Sequence, residues 1–166
     1  MKIRDPLFDP ATEALSPEIL AVNDHIKRNA GYSLYDAQLA VAEAHKRCLE
    51  RTKATLCISE CGSGKTKIGL TALHAHQQRN STGAQVKHFN VVLCPSHMTK
   101  KWVREIEESL PDTFALIVTN INELNEVYEA SLRCMESTPQ SVYMPCLPRT
   151  GGDGPDRLRL EVQSSG

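Results

Sequence analysis

The feature that most constrains this chain is a glycine-rich segment, Ser-Glu-Cys-Gly-Ser-Gly-Lys-Thr, at residues 59–66. It follows a short apolar run at residues 54–59 and precedes a stretch from Lys65 to Asn80 that contains no proline. A strand, a tight glycine turn and a helix in this order are typical of a phosphate-binding loop. Glycine has no Cβ, so the backbone can curl and direct its N–H groups at phosphate oxygens. The sequence therefore predicts a phosphate-binding loop here.

The chemistry of phosphate binding assigns roles within this loop. The positive end of the following helix favours an anion. We expect the Lys65 ammonium to reach the β- and γ-phosphates, and the Thr66 hydroxyl to bind Mg²⁺, so that both are candidate catalytic residues. The predicted nucleotide-binding residues of the loop are Cys61, Gly62, Ser63, Gly64, Lys65 and Thr66. The strict pattern begins with a glycine where this chain has Ser59, and the alternative interpretation is an ordinary glycine turn followed by a lysine.

Apolar periodicity elsewhere predicts helices that alternate with short strands. Predicted helices run from Pro17, after a cap at Ser16, to about Asn29, from Asp36 to about Lys53, from Lys65 to Asn80, through Met98, Trp102, Ile106 and Leu110, and through Ile121, Leu124, Tyr128, Leu132 and Met135. Predicted strands cover residues 54–59, 89–94 and 114–119. Strands that alternate with helices of this length favour a parallel sheet. The predicted fold class is α/β, with a sheet of about three parallel strands and flanking helices.

Composition narrows the class of protein. The chain has 166 residues, about one domain, and a net charge of −1, so any nucleic-acid contact must be local. The apolar runs are too short to cross a bilayer, and the first ten residues lack the apolar stretch of a signal peptide. The six cysteines form no CxxC pair, which favours reduced thiols. We expect a cytoplasmic protein with no membrane partner.

Two segments that flank the loop complete a pattern. Residues 32–38, Tyr-Ser-Leu-Tyr-Asp-Ala-Gln, lie upstream, and residues 91–105 form a predicted strand that ends in Pro-Ser and leads into a helix with Trp102. With the loop, they resemble the Q motif, motif I and motif Ia of superfamily 2 helicases and translocases, of the DEAD/DEAH type or the Swi/Snf-like branch. The resemblance covers about residues 32–119 and implies the N-terminal part of a RecA-like helicase ATP-binding domain with a P-loop.

The resemblance implies an ATP-dependent enzyme that couples ATP hydrolysis, with Mg²⁺, to movement on nucleic acid. The Gln38 amide would match the N6 and N7 edge of adenine. The nucleic-acid backbone would be bound by Ser96, His97, Lys100 and Lys101, which cluster at a predicted helix start. The Swi/Snf-like appearance of the second segment favours DNA over RNA. The alternatives are a solvated glutamine at position 38, an ordinary solvated helix start at 96–101, and a Trp102 that packs in the core.

The family's motif II, an Asp-Glu pair after an apolar strand, has no counterpart in this sequence. We therefore expect an incomplete domain that lacks the second RecA-like unit and is inactive alone. The predicted organisation is an N-terminal extension with a short helix (1–31), an incomplete helicase ATP-binding domain (32–143) and a disordered or frame-shifted tail (144–166), as in a truncated protein. A non-catalytic nucleotide-binding fragment and a different small P-loop enzyme, such as a kinase, stay open.

Overall fold

The computed structural model describes residues 7–79, 88–133 and 141–146. These residues form a mixed α/β structure in which helices predominate. In chain order the elements are α1 (Pro17–Ala30), α2 (Asp36–Thr52), α3 (Lys65–Arg79), β1 (His88–Leu93), α4 (Thr99–Ser109), β2 (Thr113–Ala115), α5 (Ile121–Arg133) and β3 (Ser141–Cys146), with a short 3₁₀ turn at Ser96–Met98 before α4. Among them, no helix is both long and apolar enough to cross a membrane.

The five helices lie where the apolar periodicity predicts them. Helix α1 begins at Pro17, whose fixed φ suits a first helical position, and ends at Gly31, which adopts a left-handed φ of 77°. The prediction that Ser16 caps this helix is wrong in one respect. Ser16 occupies the cap position, but its hydroxyl donates to Glu43 Oε2 at 2.7 Å instead of accepting a helix N–H.

The predicted strand at 89–94 forms as β1, and the other two strands differ from the prediction. Residues 54–59 are not a strand: they run without regular structure, and Leu56 and Ile58 are exposed. A strand is stabilised by the hydrogen bonds of a neighbour, and this segment has none among the described strands. The sheet consists instead of β1, β3 and β2 in that order, all parallel.

The third strand, Ser141–Cys146, runs across the predicted end of the domain at residue 143. It pairs along its full length with β1, from His88 opposite Ser141 to Leu93 opposite Cys146. The predicted strand at 114–119 forms only at Thr113–Ala115. The last residue pair between β2 and β3 is Ala115–Tyr143. Two residues further along β3 is Pro145, which has no N–H to donate to the ladder. The predicted tail is otherwise outside the described residues.

The core lies between the helices. The fully buried face of α1, formed by Ile19, Val22 and Ile26, packs with apolar residues of α2, α3 and α4. Trp102 is partly buried against this cluster, in agreement with its interpretation as a packing residue. A charged network around Glu43 (2% exposed) joins the N-terminal segment to α2. Burial raises the Glu43 pKa, but hydrogen bonds from Ser16 and Arg47 outweigh burial and hold it below its usual value.

Candidate nucleotide-binding site

The glycine-rich loop joins the exposed segment 53–60 to the first turn of α3. Gly62 and Gly64 have φ values of 86° and 85°, in the left-handed region that side chains disfavour. Helix α3 then begins at Lys65, and the first N–H groups of any helix have no partner within it. The two glycines are therefore required by the backbone conformation, and the loop ends at a helix N-terminus, where an anion is favoured.

The Lys65 ammonium folds back over the loop. Its Nζ donates to the carbonyl oxygens of Ser59 and Glu60, at 3.0 and 2.6 Å. The hydroxyls of Ser59 and Ser63 are hydrogen-bonded across the loop at 2.7 Å. A positive charge is thus held at the mouth of a turn whose following helix also favours anions. Thr66, the predicted Mg²⁺ ligand, is half-buried in the first turn of α3, and Cys61 is an exposed free thiol at the loop's tip.

Gln38 lies against the loop, and each end of its amide makes one hydrogen bond within the chain. Its Nε2 donates to the carbonyl of Ser63 at 3.0 Å, and its Oε1 accepts the N–H of Tyr35 at 3.0 Å. A Cβ built on Gly64 would overlap with Gln38 Nε2. A Cβ at position 64 is thus disfavoured by the backbone conformation, and it would also displace the end of the Gln38 side chain.

A groove of about 320 Å³ lies beside the loop, between α2 and the exposed segment. Its apolar lining comes from both sides and from α3: Ala37, Val41, Leu56, Ile58 and Ile68. Its polar lining includes Gln38, Ser59 and Ser63, together with His45, whose Nδ1 is in a close contact with Thr55 Oγ1. Burial lowers the pKa of His45, which favours its neutral form.

Lys67 ties the beginning of α3 to α4. Its Nζ lies 2.7 Å from Glu105 Oε2 and 3.6 Å from Glu108 Oε2, and it stands over the Tyr32 ring at 4.9 Å. Burial lowers the Lys67 pKa, but the hydrogen bond to Glu105 and the contact with Tyr32 outweigh it and raise the pKa above its usual value. Since Lys67 follows Thr66 directly, this cluster fixes the loop's helix relative to α4.

The predicted nucleic-acid residues lie at the other end of α4. Ser96 and His97 belong to the 3₁₀ turn that follows β1, and Lys100 and Lys101 lie in the first turn of α4; all four are exposed. The turn is held by the Thr99 hydroxyl, which donates to the Ser96 carbonyl at 2.9 Å. The contacts to Lys67 are made by the carboxyl-terminal half of α4, so the basic cluster stands away from them.

Two contacts of this site are absent from the sequence-based predictions. The capping of α2 by Gln38 has a sequence signal, because a Gln at the third helical position is typical of a capping box. The Lys67–Glu105 pair has no local sequence signal, because the two residues are 38 positions apart along the chain. The Glu105 side chain is 14% exposed and paired with Lys67. Among the described residues, no group of three or more His, Cys, Asp or Glu side chains could hold a metal ion.

Comparison with known proteins adds no relative. No protein-family model, no curated protein and no solved structure matches this chain. The functional assignment therefore depends on the residues and geometry described above.

Proposed function

We propose that this chain binds a nucleoside triphosphate with Mg²⁺ through residues 61–66. The observation that carries the proposal is the loop itself: two left-handed glycines, a helix that begins at Lys65, and the Lys65 ammonium held over the turn. Backbone N–H groups and Lys65 would bind the phosphates, and the Thr66 hydroxyl would bind Mg²⁺. ATP is the proposed nucleotide because of the resemblance to helicase motifs.

At the level of the whole family, we propose that this loop belongs to a DNA helicase or translocase. The exposed group of Ser96, His97, Lys100 and Lys101 would contact the phosphate backbone. The Lys67–Glu105 contact supports a fixed relation between the nucleotide-binding helix and α4, which carries this basic cluster. A non-catalytic nucleotide-binding fragment differs from this proposal only in what it does with the bound nucleotide.

For this chain, we propose binding without appreciable hydrolysis. Phosphoryl transfer of this kind needs an acidic residue near the end of a strand to hold Mg²⁺ and a group to orient the attacking water. The residues that follow β1 are Cys94, Pro95 and Ser96, and those that follow β2 are Leu116 and Ile117. None of these side chains is acidic, so an activated water is not provided at these strand ends.

The test is equilibrium binding of Mg-ATP by calorimetry. Replacing Lys65 with Ala removes charge-assisted hydrogen bonds to the phosphates, so we expect at least about a tenfold loss of affinity. Lys27→Ala is the matched control, because Lys27 is an exposed lysine on α1 that is not part of the loop. Equal affinity of the Lys65→Ala variant and the original chain would refute phosphate binding by the loop. Phosphate release that DNA stimulates would refute the absence of turnover, and transfer to a small acceptor would favour a kinase.

A further inference from the structure

Ser59 stands where the loop departs from the strict phosphate-binding pattern, which has a glycine at this position. The backbone here does not require a glycine, because Ser59 is not among the described residues with a positive φ. Its side chain is exposed, and its hydroxyl shares a hydrogen bond of 2.7 Å with the hydroxyl of Ser63, four residues further along the loop. The departure from the pattern therefore adds a contact across the loop that a glycine cannot make.

The carbonyl group of Ser59 also holds the loop lysine. Lys65 Nζ donates to this carbonyl oxygen at 3.0 Å and to that of Glu60 at 2.6 Å. An ammonium group has three N–H donors, so two are used within the loop and a third is left for a phosphate oxygen. The place of the Lys65 ammonium therefore depends on where residue 59 lies.

The two ends of the Ser59–Ser63 bond are supported differently. Residues 54–59 lie outside the sheet, and among the described residues none of their backbone groups is hydrogen-bonded to another backbone group. Ser63 is held by α2, because its carbonyl accepts Gln38 Nε2 at 3.0 Å, and it lies two residues before the beginning of α3. The hydroxyl pair thus connects a segment without strand partners to the part of the loop that the helices hold.

We propose that Ser59 is a positioning residue for phosphate binding. Its hydrogen bond to Ser63 closes the loop, and the closed loop holds the Ser59 carbonyl and the Lys65 ammonium in place before a ligand arrives. A site that is already ordered loses less conformational freedom when it binds, so its affinity is higher. Ser59 acts through Lys65 and Ser63 and does not itself contact the phosphates. This inference rests on the proposed function, because it assumes that the loop binds phosphates.

The first measurement is calorimetric binding of Mg-ATP and of Mg-tripolyphosphate to Ser59→Ala. We expect the affinity for both ligands to fall by the same factor, about three- to tenfold, which corresponds to the net value of one hydrogen bond. Ser59→Thr keeps the hydroxyl and should bind within about twofold of the original chain. Ser33→Ala is the matched control, because it makes the same substitution at an exposed serine outside the loop.

Three results of this measurement would overturn the inference. They are an affinity of Ser59→Ala that is unchanged or higher, a loss confined to ATP, and an equal loss in Ser59→Thr. Lys65→Ala keeps the proposed function separate: if it weakens binding and Ser59→Ala does not, the loop binds phosphates and Ser59 does not position it. If the original chain binds neither ligand, the proposed function and this inference are both wrong.

The second measurement distinguishes positioning from direct contact with the phosphates. The Ser59–Ser63 bond uses only one of the two hydroxyl hydrogens, so each serine must be tested for a separate contact with the ligand. If the serines act through their shared bond, Ser63→Ala loses as much affinity as Ser59→Ala, and the double variant loses no more than either. Losses that multiply in the double variant would contradict the inference. Circular dichroism establishes that the variants are folded, and Ser63→Ala tests the same bond if Ser59→Ala is not.

Discussion

Two apolar stretches of this chain differ in burial: one packs in the core and the other is exposed. On α1, Ile26 is completely buried among the helices, whereas on the segment before the loop, Ile58 is 86% exposed. The two residues are chemically identical, and both belong to stretches that a pattern analysis assigns to the interior. The difference lies in the backbone: α1 forms its hydrogen bonds internally and needs only an apolar surface to pack on, whereas an extended segment also needs a neighbouring strand.

The loop stands where these two regions meet. Its first half continues the exposed segment, and its second half is the beginning of α3, which packs in the helical core. The first half is held by the Lys65 bonds to Ser59 and Glu60 and by the Ser59–Ser63 bond, and Gln38 holds Ser63 at the middle of the loop. The candidate site is therefore supported mainly by the helices α2 and α3, which we call the helical side. We expect the conformation of the loop to depend on these helices more than on the exposed segment.

The same substitution in the two regions gives the largest expected contrast. Ile26→Ala leaves a cavity in a packed core and should lower the free energy of unfolding by about 3–4 kcal/mol. Ile58→Ala removes a side chain that is already in water and should change it by less than about 0.5 kcal/mol. Urea unfolding followed by circular dichroism measures both values. A cost above about 2 kcal/mol for Ile58→Ala would show that the segment is buried in solution and would remove the contrast.

This contrast also explains what the sequence could predict. The five helices follow from local periodicity and from signals such as Pro17 and Gly31, which act within a few residues. The glycine loop was found for the same reason, since its chemistry is contiguous along the chain. The sheet was predicted less well, because whether residues 54–59 pair depends on distant partners. The bonds of Gln38 to Tyr35 and Ser63 illustrate both cases: the first is local, and the second spans 25 positions.

A second prediction concerns how the stability of the helical core depends on pH. His74 is buried in α3, and burial, with additional repulsion from His25 and His88 that outweighs the attraction of Asp112, lowers its pKa from 6.5 to about 4. Between these values the unfolded chain binds a proton that the folded chain does not, so stability falls as pH falls. Above pH 6.5, protonation of His74 does not lower the free energy of unfolding; by pH 4 it has lowered it by about 3 kcal/mol. Unfolding in urea at several pH values measures this slope.

The matched variants for this prediction are two histidine substitutions. His74→Gln removes one titrating group and should reduce the dependence of stability on pH between about 6.5 and 4.5. His45 and His88, whose pKa values burial also lowers, account for the dependence that remains. His97→Gln is the matched control, because it makes the same substitution at an exposed histidine. Glu43 does not contribute to this slope. Its pKa lies below its usual value of 4.5, so the stability that its ionised form provides is lost only below pH 4.5. An unchanged slope in His74→Gln would show that this histidine is hydrated in the folded chain.

The smallest expected effect concerns the junction of the two regions, where Gly62 and Gly64 share nearly the same φ. Alanine at either position is strained in the left-handed region, at a cost of about 1–2 kcal/mol. At Gly62 the added Cβ meets nothing within 4 Å, whereas at Gly64 it overlaps with the Gln38 amide. Gly64→Ala should therefore be less stable than Gly62→Ala by about 1 kcal/mol, the net value of the displaced Gln38–Ser63 hydrogen bond. In a Gln38→Ala background that difference should vanish, because the group that the new Cβ meets is gone. If the difference persists there, the loop is held by contacts other than Gln38, and support from the helical side cannot be assigned to this residue.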